Sequence, residues 1–191
     1  QVEGIRVDYD QRRVHLDLDA TDRDVQNATQ VLITSTCGAS TYGGKMPELG
    51  DEDSESRFRI SGPHLVKGLR SLRGRAPTFT CTGGTHQAAF TDGTRIVSFF
   101  EDIGRHNALD KITGEAVLKG LDLSAGAMLA TGRVSSEMVV KAVRREVPVL
   151  ASRAAVTTNA VRLAEKHGLT LVGFARGKRL NVYTRGDRIT E

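Results

Sequence analysis

The last third of the chain alternates apolar segments with amphipathic ones, and this order constrains the fold more than any other feature. From residue 127 the sequence reads AMLATG, SSEMVVKAVRRE, VPVLASR, TTNAVRLAEKHG and LTLVGFARG. The apolar runs predict strands and the amphipathic runs predict helices, which gives a β-α-β-α-β order. Short linkers between such elements favour right-handed crossovers and a largely parallel sheet covered by helices. RLNVYT at residues 179–184 predicts one more strand.

The segments before residue 127 predict further strands and two helices. GIRVDY and RRVHLDL alternate apolar and polar residues across a short polar turn, as a β-hairpin does, and VLITST at residues 31–36 is a third strand candidate that leads to Cys37. Ser61 can cap a helix, with Pro63 in its first turn, that ends near Gly74. TFTC, THQAAF and RIVSFFED are predicted to be extended.

A second helix is predicted from Arg105 to about Leu118. Its expected apolar contacts are Ile103, Leu109, Ile112 and Val117. The stretch at residues 43–58 is acidic and glycine-rich without periodicity, so we expect a flexible loop there. The sequence therefore predicts an N-terminal β region at residues 1–42 that ends in the Cys37 loop, the acidic loop at 43–58, and an α/β core at 59–191.

Composition narrows the class of protein. The chain has 191 residues, 39% of them hydrophobic, which suits one compact domain or one domain with a small extension. No apolar stretch approaches the roughly 20 residues that cross a bilayer, and the first residues do not resemble a signal peptide, so we expect a cytoplasmic protein. The net charge of +4 is modest, and 5% aromatic residues leave few rings to stack on bases, which disfavours nucleic acid. Two cysteines are too few for a secreted disulfide framework, so reduced thiols are expected.

Three successive strands of the last third end in basic residues beside small or hydroxyl residues. In open α/β sheets, ligands bind beyond the carboxyl ends of the strands, next to helix N-termini that favour anions. The residues at these ends are Thr131, Gly132, Arg133 and Ser135; Ser152 and Arg153; and Ala175, Arg176, Gly177, Lys178 and Arg179. Solvated loop charge would explain any single arginine, but the repeated placement predicts a site for an anionic, nucleotide-like ligand.

A second dense stretch combines TGGTHQAAF with EDIGRHNALDK. Gly83 and Gly84 allow a close backbone approach, and His86 and His106 can move protons near neutral pH. Glu101 or Asp102 could orient an imidazole. A structural role for each histidine stays open from the residues alone.

Metal binding is the main rival interpretation of these residues. Cys37, Cys81, His86 and His106 are zinc ligands by type. Their spacing matches no zinc motif: the chain has no C-x-x-C pair, no H-E-x-x-H and no zinc deaminase signature. A zinc site is therefore not expected. The chain also lacks a P-loop and a G-x-G-x-x-G motif, so the usual ATPase and dehydrogenase chemistry is not expected either.

The segments TSTCG, TGGTHQAAF, EDIGRHNALDKITG and the long run from GRVSSEM to RLNVYT resemble, in this order, the FdhD family of formate dehydrogenase accessory sulfurtransferases. The resemblance runs from about Val31 to Ile189. It implies an α/β, cytidine-deaminase-like layered sheet with helices on both faces and no zinc, beside the small N-terminal β-hairpin region, and it implies a homodimer. It also implies that the protein accepts persulfide sulfur from a cysteine desulfurase and passes it to the bis-guanine-dinucleotide molybdenum cofactor of formate dehydrogenase.

This implied cofactor agrees with the anionic site expected at the strand ends, and GDP would mimic part of it. The catalytic candidates are Cys37, as the sulfur carrier, with His86 or His106 assisting protonation. The residues expected to bind the cofactor are Phe174, Ala175, Arg176, Gly177, Lys178 and Arg179 with most weight, then Gly83, Gly84, Thr85, Gly132, Arg133, Ser135, Ser152 and Arg153. No metal ligand is assigned.

Two features depart from the family pattern. Members usually carry C-G-x-C, whereas this chain reads Cys37, Gly38, Ala39, Ser40. The chain also holds at most the end of the N-terminal segment that precedes the hairpin in the family. One thiolate suffices to accept a sulfur, and a second is needed only to resolve or relay it. Cys81 lies in an apolar stretch and is expected to be structural.

Two other functions remain open on the sequence. A cofactor chaperone would bind the guanine-dinucleotide molybdopterin and deliver it without moving sulfur, which the serine at position 40 favours. A hydrolase or deaminase acting on a nucleotide would require a bound metal.

Overall fold

The computed structural model describes residues 2–18, 49 and 56–191. The chain divides into two compact units, residues 1–33 and 34–191. In the first, β1 (Val2–Asp8) and β2 (Arg13–Leu18) pair antiparallel, which confirms the predicted hairpin. The strand predicted at residues 31–36, Cys37, Ser40 and the predicted boundaries at 42 and 43 lie outside the described residues.

The second unit alternates strands and helices as the sequence predicts. Its elements are β3 (Ile60–Ser61), α1 (Gly62–Ser71), a 3-10 turn (Leu72–Arg75), α2 (Pro77–Thr82), β4 (His86–Thr91), β5 (Ile96–Asp102), α3 (Arg105–Lys119), a 3-10 turn (Leu123–Ala125), β6 (Ala127–Ala130), α4 (Ser136–Val143), β7 (Val149–Ser152), α5 (Thr158–Lys166), β8 (Thr170–Arg176), β9 (Arg179–Thr184), a 3-10 turn (Gly186–Arg188) and β10 (Ile189–Thr190). Within the described residues, no helix is long and apolar enough to cross a membrane.

Six of these strands form one sheet in the order β5-β4-β6-β7-β8-β9. The pairs β6/β7 and β7/β8 are parallel, while β5/β4, β4/β6 and β8/β9 are antiparallel. The expectation of a largely parallel sheet is therefore wrong for the whole sheet and right for its centre. Hairpins join β4 to β5 through residues 92–95 and β8 to β9 through residues 177–178, and such short connections cannot join parallel neighbours.

Helices cover both faces of this sheet, as the family resemblance implies. On one face, α3, α4 and α5 pack over a core that includes Ile112, Met138 and Leu150. On the other face, α1 packs through Leu65 and Leu69 against strand residues such as Leu129. Period-two alternation along the central strands is absent because both faces are buried.

The ends of α1 and α2 show one confirmed and one wrong prediction. The Ser61 hydroxyl accepts the His64 N–H at 3.3 Å and caps α1, with proline in the first turn as predicted. TFTC is predicted to be extended, but Pro77–Thr82 forms α2. The backbone N–H groups of Thr78 and Phe79 donate to the Glu101 carboxylate, so a distant acid on β5 caps this short helix.

The helix α3 matches its predicted range, with a difference in its apolar face. Leu109 and Ile112 are buried, as expected, whereas Ile103 is 69% exposed and Val117 52% exposed. Ile103 precedes the helix and Val117 lies on its outer side. Their hydrophobicity alone therefore does not indicate burial.

Candidate functional site

One edge of the six-stranded sheet collects the residues predicted to carry function. Because β4 is antiparallel to β6, its first residue, His86, lies beside the carboxyl end of β6, and the Thr131 N–H donates to the Gln87 carbonyl at 3.1 Å. The carboxyl ends of β6, β7 and β8 meet at the same edge. A bridge between Val134 and Val156 joins the loops that follow β6 and β7. The start of β4 and the ends of β6, β7 and β8 therefore share one edge, and α/β sheets bind ligands beyond the carboxyl ends of their parallel strands.

A cleft of about 460 Å³ opens at this edge. Its lining residues come from two helical segments, a glycine loop, the strands β4 and β8, and the residues that directly follow β6 and β7. They are Arg73, Phe79, Gly83, Gly84, Thr85, His86, Gln87, Thr131, Arg153 and Arg176. Six of them are predicted site residues, and a seventh, Thr131, is predicted to lie at the strand ends. The structure thus brings the glycine motif and two strand-end arginines together.

The cleft is strongly cationic. Arg73, Arg153 and Arg176 line it, and no acidic residue does within the part of the chain that the structure describes. Arg176 is held in place by its Nε, which donates to the Arg153 carbonyl at 2.6 Å. The Arg73 guanidinium lies 6.0 Å from the centre of the Phe79 ring. Planar guanidinium groups bind phosphate oxygens in pairs, so the arrangement suits a phosphate-bearing ligand.

The glycine loop presents its backbone to this cleft. Gly83 ends α2 in the left-handed conformation, with φ at 66°, and its N–H donates to the Phe79 carbonyl at 2.7 Å. A Cβ atom at this position would meet open space, so only the backbone conformation demands glycine. The Gly84 N–H is satisfied locally by the Thr82 hydroxyl at 3.1 Å.

Glu101 fixes this loop, a role different from the one expected of it. Its Oε1 accepts the Thr85 hydroxyl at 2.7 Å and the Phe79 N–H at 2.8 Å, and its Oε2 accepts the Thr78 N–H at 3.0 Å. Desolvation opposes ionisation, but these hydrogen bonds outweigh it and hold the pKa of Glu101 below its ordinary value. Asp102 binds Lys111 and the Gly104 N–H. Neither acid orients an imidazole, so that expectation is wrong.

His86 lies in the cleft, and its surroundings lower the pKa of its imidazole and so favour the neutral form. Burial lowers its pKa first, and the nearby charges of Arg105 and Arg133 lower it further. Gly132 allows this approach, because a Cβ atom there would lie 2.8 Å from Arg105 Cβ and 3.3 Å from His86 Nδ1. Any side chain at position 132 would therefore push the histidine and the arginine apart.

His106 lies outside the cleft lining and belongs to a separate polar cluster between α3 and α4. Its Nε2 is 3.1 Å from the Ser135 hydroxyl, and its Nδ1 is 3.5 Å from Glu137 Oε2. Burial and the charge of Arg105 lower the pKa of His106, while Glu137 raises it. Ser135 occupies the N-cap position of α4, yet its side chain makes no capping bond. Glu137, which the sequence interpretation missed, is the acid that meets an imidazole.

The structure distributes the predicted segment 174–179 over different surroundings. Arg176 enters the cleft, Ala175 is buried, and Gly177 and Lys178 line a separate groove. Arg179 pairs with Arg176 across the hairpin that joins β8 to β9. These six positions therefore do not form one surface.

Phe174 stands out in this segment because of its backbone. It has a φ of 50°, its side chain is 41% exposed, and its ring centre lies 5.8 Å from the Arg176 guanidinium. The Phe174 N–H donates to the Ala154 carbonyl at 3.0 Å. A bulky residue in this conformation is strained, which is common at ligand sites.

The remaining predicted positions support the loops or lie nearby. Ser152 is fully buried and donates to the Gly132 carbonyl at 2.6 Å, while it accepts the Ala154 N–H at 3.1 Å. It therefore braces two strand-end loops. Arg133 is exposed beside His86.

Of the two cysteines, the structure describes only Cys81. Cys37 lies outside the described residues, so its surroundings stay a prediction. Cys81 is an exposed free thiol on α2, a helix that buries none of its residues, so the expectation of a buried structural cysteine is wrong. Among the described residues, no group of three His, Cys, Asp or Glu side chains is placed to hold a metal ion.

Comparison with known proteins gives consistent matches. A family model described as FdhD/NarQ matches residues 1–190. The sulfur carrier protein FdhD of Wolinella succinogenes is 37% identical over 82% of the chain and 55% of its own length. The proteins of the same name from Listeria innocua and Bacillus subtilis are 38% and 33% identical over 83% and 88% of the chain. The chain spans 55% to 64% of the length of these three relatives.

A solved structure supports the same grouping. A crystal structure described as that of a proposed formate dehydrogenase accessory protein, from Desulfotalea psychrophila, superposes with a TM-score of 0.66 at 30% identity. The superposition covers 71% of this chain and 61% of that one.

Proposed function

The chain belongs to the FdhD/NarQ family, and on that basis we propose that it accepts sulfur on Cys37 and passes it to a bis-guanine-dinucleotide molybdenum cofactor held at the cationic cleft. The acceptor pathway would be the maturation of formate dehydrogenase, and the sulfur source a cysteine desulfurase. We place this activity in the cytoplasm and in a homodimer.

The observation that carries the proposal is the cationic cleft itself. Each guanine dinucleotide contains a pyrophosphate, which needs cationic donors in a site without competing acids. Arg73, Arg153 and Arg176 provide the donors, and Gly83 and Gly84 allow the backbone to approach the ligand. The exposed Phe174 ring beside Arg176 offers a flat surface for a base. When bound, the cofactor would supply the molybdenum centre that receives sulfur.

The proposed transfer to Cys37 is a thiolate attack on a persulfide. The Cys37 thiolate would attack the terminal sulfur of the desulfurase persulfide, forming a new sulfur–sulfur bond on Cys37. The sulfur–sulfur bond of the donor breaks, and the donor cysteine leaves as a thiolate. This first transfer is an exchange of sulfur between two thiolates, so it needs no external oxidant or reductant. Delivery of the sulfur to molybdenum as sulfide would take up two electrons, which the metal centre or a thiol reductant would have to supply.

His86 is the better placed of the two histidines to handle a proton at the cleft. It lines the cleft, and its lowered pKa favours the neutral imidazole, which can accept a proton from a bound thiol or persulfide. His106, the other histidine that the sequence predicts to assist protonation, already contacts Ser135 and Glu137. A role for it in the transfer would require that contact to break.

Binding of GDP tests the cleft. Arg153→Ala and Arg176→Ala should each weaken GDP binding about 10-fold or more, because a hydrogen bond to a charged group contributes about 1.5 to 3 kcal/mol. Arg162→Ala is the matched control, since Arg162 is exposed on α5. Calorimetric titration of the wild type and the three variants measures the effect. Equal affinity in all four proteins would refute the assignment of the cleft.

Intact mass tests the sulfur step. Incubation with a cysteine desulfurase and cysteine should add one sulfur to the wild type, and reduction should remove it. Cys37→Ala should stay unmodified, while Cys81→Ala should accept sulfur normally. An adduct that persists in Cys37→Ala but not in Cys81→Ala would transfer the role to the exposed thiol.

A cofactor chaperone is the second candidate, and the serine at position 40 favours it. Such a protein would bind the guanine-dinucleotide cofactor without moving sulfur. Cells that produce Cys37→Ala would then retain formate dehydrogenase activity, whereas those that produce Arg176→Ala would lose it. Loss of activity in both variants favours sulfur transfer over the chaperone.

A further inference from the structure

A second groove lies between α1 and the hairpin of β8 and β9, with a volume of about 620 Å³. One wall is a stripe along α1, and the opposite wall is formed by the hairpin turn and the first residues of β9. The strand β10 closes one end. The lining residues are Gly62, Pro63, Val66, Lys67, Arg70, Gly177, Lys178, Leu180, Ile189, Thr190 and Glu191. None of them lines the cationic cleft.

The floor of the groove is apolar. Val66, Leu180 and Ile189 are partly buried and pack against the core on the α1 face of the sheet. The two walls are close at Gly62, where a Cβ atom would be in ordinary contact with Leu180 Cδ2 at 3.4 Å. A ligand that covered these side chains would remove apolar surface from water, which favours binding.

The rim of the groove is cationic. Lys67 and Arg70 lie one turn apart on α1, and Lys178 lies opposite them in the hairpin turn. All three are exposed, and their side chains make no ion pair or hydrogen bond to any residue that the structure describes. Glu191 is the one acid among the described lining residues.

From this combination we infer that the groove binds an amphipathic anion, a molecule with an apolar chain and one negatively charged group. The chain would lie along Val66, Leu180 and Ile189, and the charged group would meet Lys67, Arg70 and Lys178. The volume is that of a small-molecule site, typically about 300 to 1,000 Å³.

Titration with dodecanoate, below its micellar concentration, tests the inference. The wild type should bind it saturably, and methyl resonances of Val66, Leu180 and Ile189 should shift. Lys67→Gln/Arg70→Gln should weaken binding at least 10-fold, and both substitutions are on exposed positions that leave the core intact. Dodecan-1-ol lacks the charge, so the wild type should bind it more weakly than it binds dodecanoate. The wild type and Lys67→Gln/Arg70→Gln should bind dodecan-1-ol with equal affinity.

The controls separate this groove from the cationic cleft. Arg162→Gln, on the other face of the sheet, should bind dodecanoate as the wild type does. GDP affinity should be unchanged in Lys67→Gln/Arg70→Gln. Absence of saturable binding, equal dodecanoate affinity in the double variant, or methyl shifts confined to other residues would each overturn the inference. GDP that displaces dodecanoate would also overturn it, because the two sites would then be one.

Discussion

The Thr85 hydroxyl donates to Glu101 Oε1 at 2.7 Å, and this bond ties the loop before β4 to the end of β5. The same carboxylate accepts the N–H groups of Thr78 and Phe79 at the start of α2. One acid on a rigid strand therefore holds both ends of the segment 77–85. Phe79 and Thr85 line the cationic cleft, so the shape of that wall depends on Glu101.

Replacing Glu101 by glutamine should loosen this segment and weaken ligand binding. The amide keeps one acceptor oxygen, but its NH2 group would face a backbone N–H. We expect faster hydrogen exchange across residues 77–85 and about fivefold weaker GDP binding, equivalent to one hydrogen bond of about 1 kcal/mol. Glu165→Gln, at an exposed position of α5, is the control and should change neither quantity. Unaltered exchange in Glu101→Gln would show that α2 is held by other contacts.

Acid should loosen the same segment. The pKa of Glu101 is lowered in the folded protein, so its stabilising effect is complete above the pKa of an unfolded glutamate. That effect is lost as the pH falls through the lowered folded value. Exchange of residues 77–85 should therefore accelerate between these two values, after correction for the intrinsic pH dependence of exchange. Glu101→Gln should not show this acceleration, and its presence there would assign the effect to another group.

Gly132→Ala should destabilise the protein and disturb the cleft. The new Cβ atom would lie 2.8 Å from Arg105 Cβ and 3.0 Å from Arg105 Cδ, and the first of these cannot move without its backbone. Overpacking of this kind costs about 1 to 3 kcal/mol in the free energy of unfolding, which denaturant titration measures. The matched control is Gly114→Ala, because Gly114 lies in the middle of α3 and a Cβ atom there would meet open space. This substitution should increase the free energy of unfolding by up to about 1 kcal/mol.

The two histidines should respond to different substitutions. Glu137→Gln should lower the pKa of His106 further, because the carboxylate charge now raises it. Arg133→Gln should raise the pKa of His86, because the guanidinium charge now lowers it. Titration by nitrogen-15 NMR measures both values in each variant. Each substitution should leave the other histidine unchanged, and a common response would mean that the two sites are coupled.

The strand-end rule located part of the cleft from the sequence. Arg153 and Arg176 come at the ends of apolar strand segments that alternate with amphipathic helices, and both patterns can be recognised locally in the sequence. The β-α-β order then predicts that the two arginines meet at one edge of the sheet. Arg73 and Phe79 carry no such signal, because they reach the cleft from segments that cross the other face of the sheet. Only the tertiary arrangement shows this approach.

The error at α2 has the same origin. TFTC contains residues that favour strands, and nothing within a few positions caps a helix there. The cap comes from Glu101, more than 20 residues later in the chain. A long-range contact overrides the local preference, and Cys81 lies exposed on the resulting helix.

Substitutions of Phe174 separate the backbone strain at this position from the contribution of its ring to GDP binding. Its φ of 50° costs a non-glycine residue about 1 to 2 kcal/mol, and glycine adopts this conformation freely. Phe174→Gly and Phe174→Ala both remove the exposed ring that faces Arg176, so both should weaken GDP binding to a similar extent. Glycine alone removes the strain, so Phe174→Gly should be more stable than Phe174→Ala by about 1 kcal/mol in denaturant titration. Equal stabilities would show that the backbone at this position is not strained, and unchanged GDP affinity in both variants would remove the ring from the proposed site.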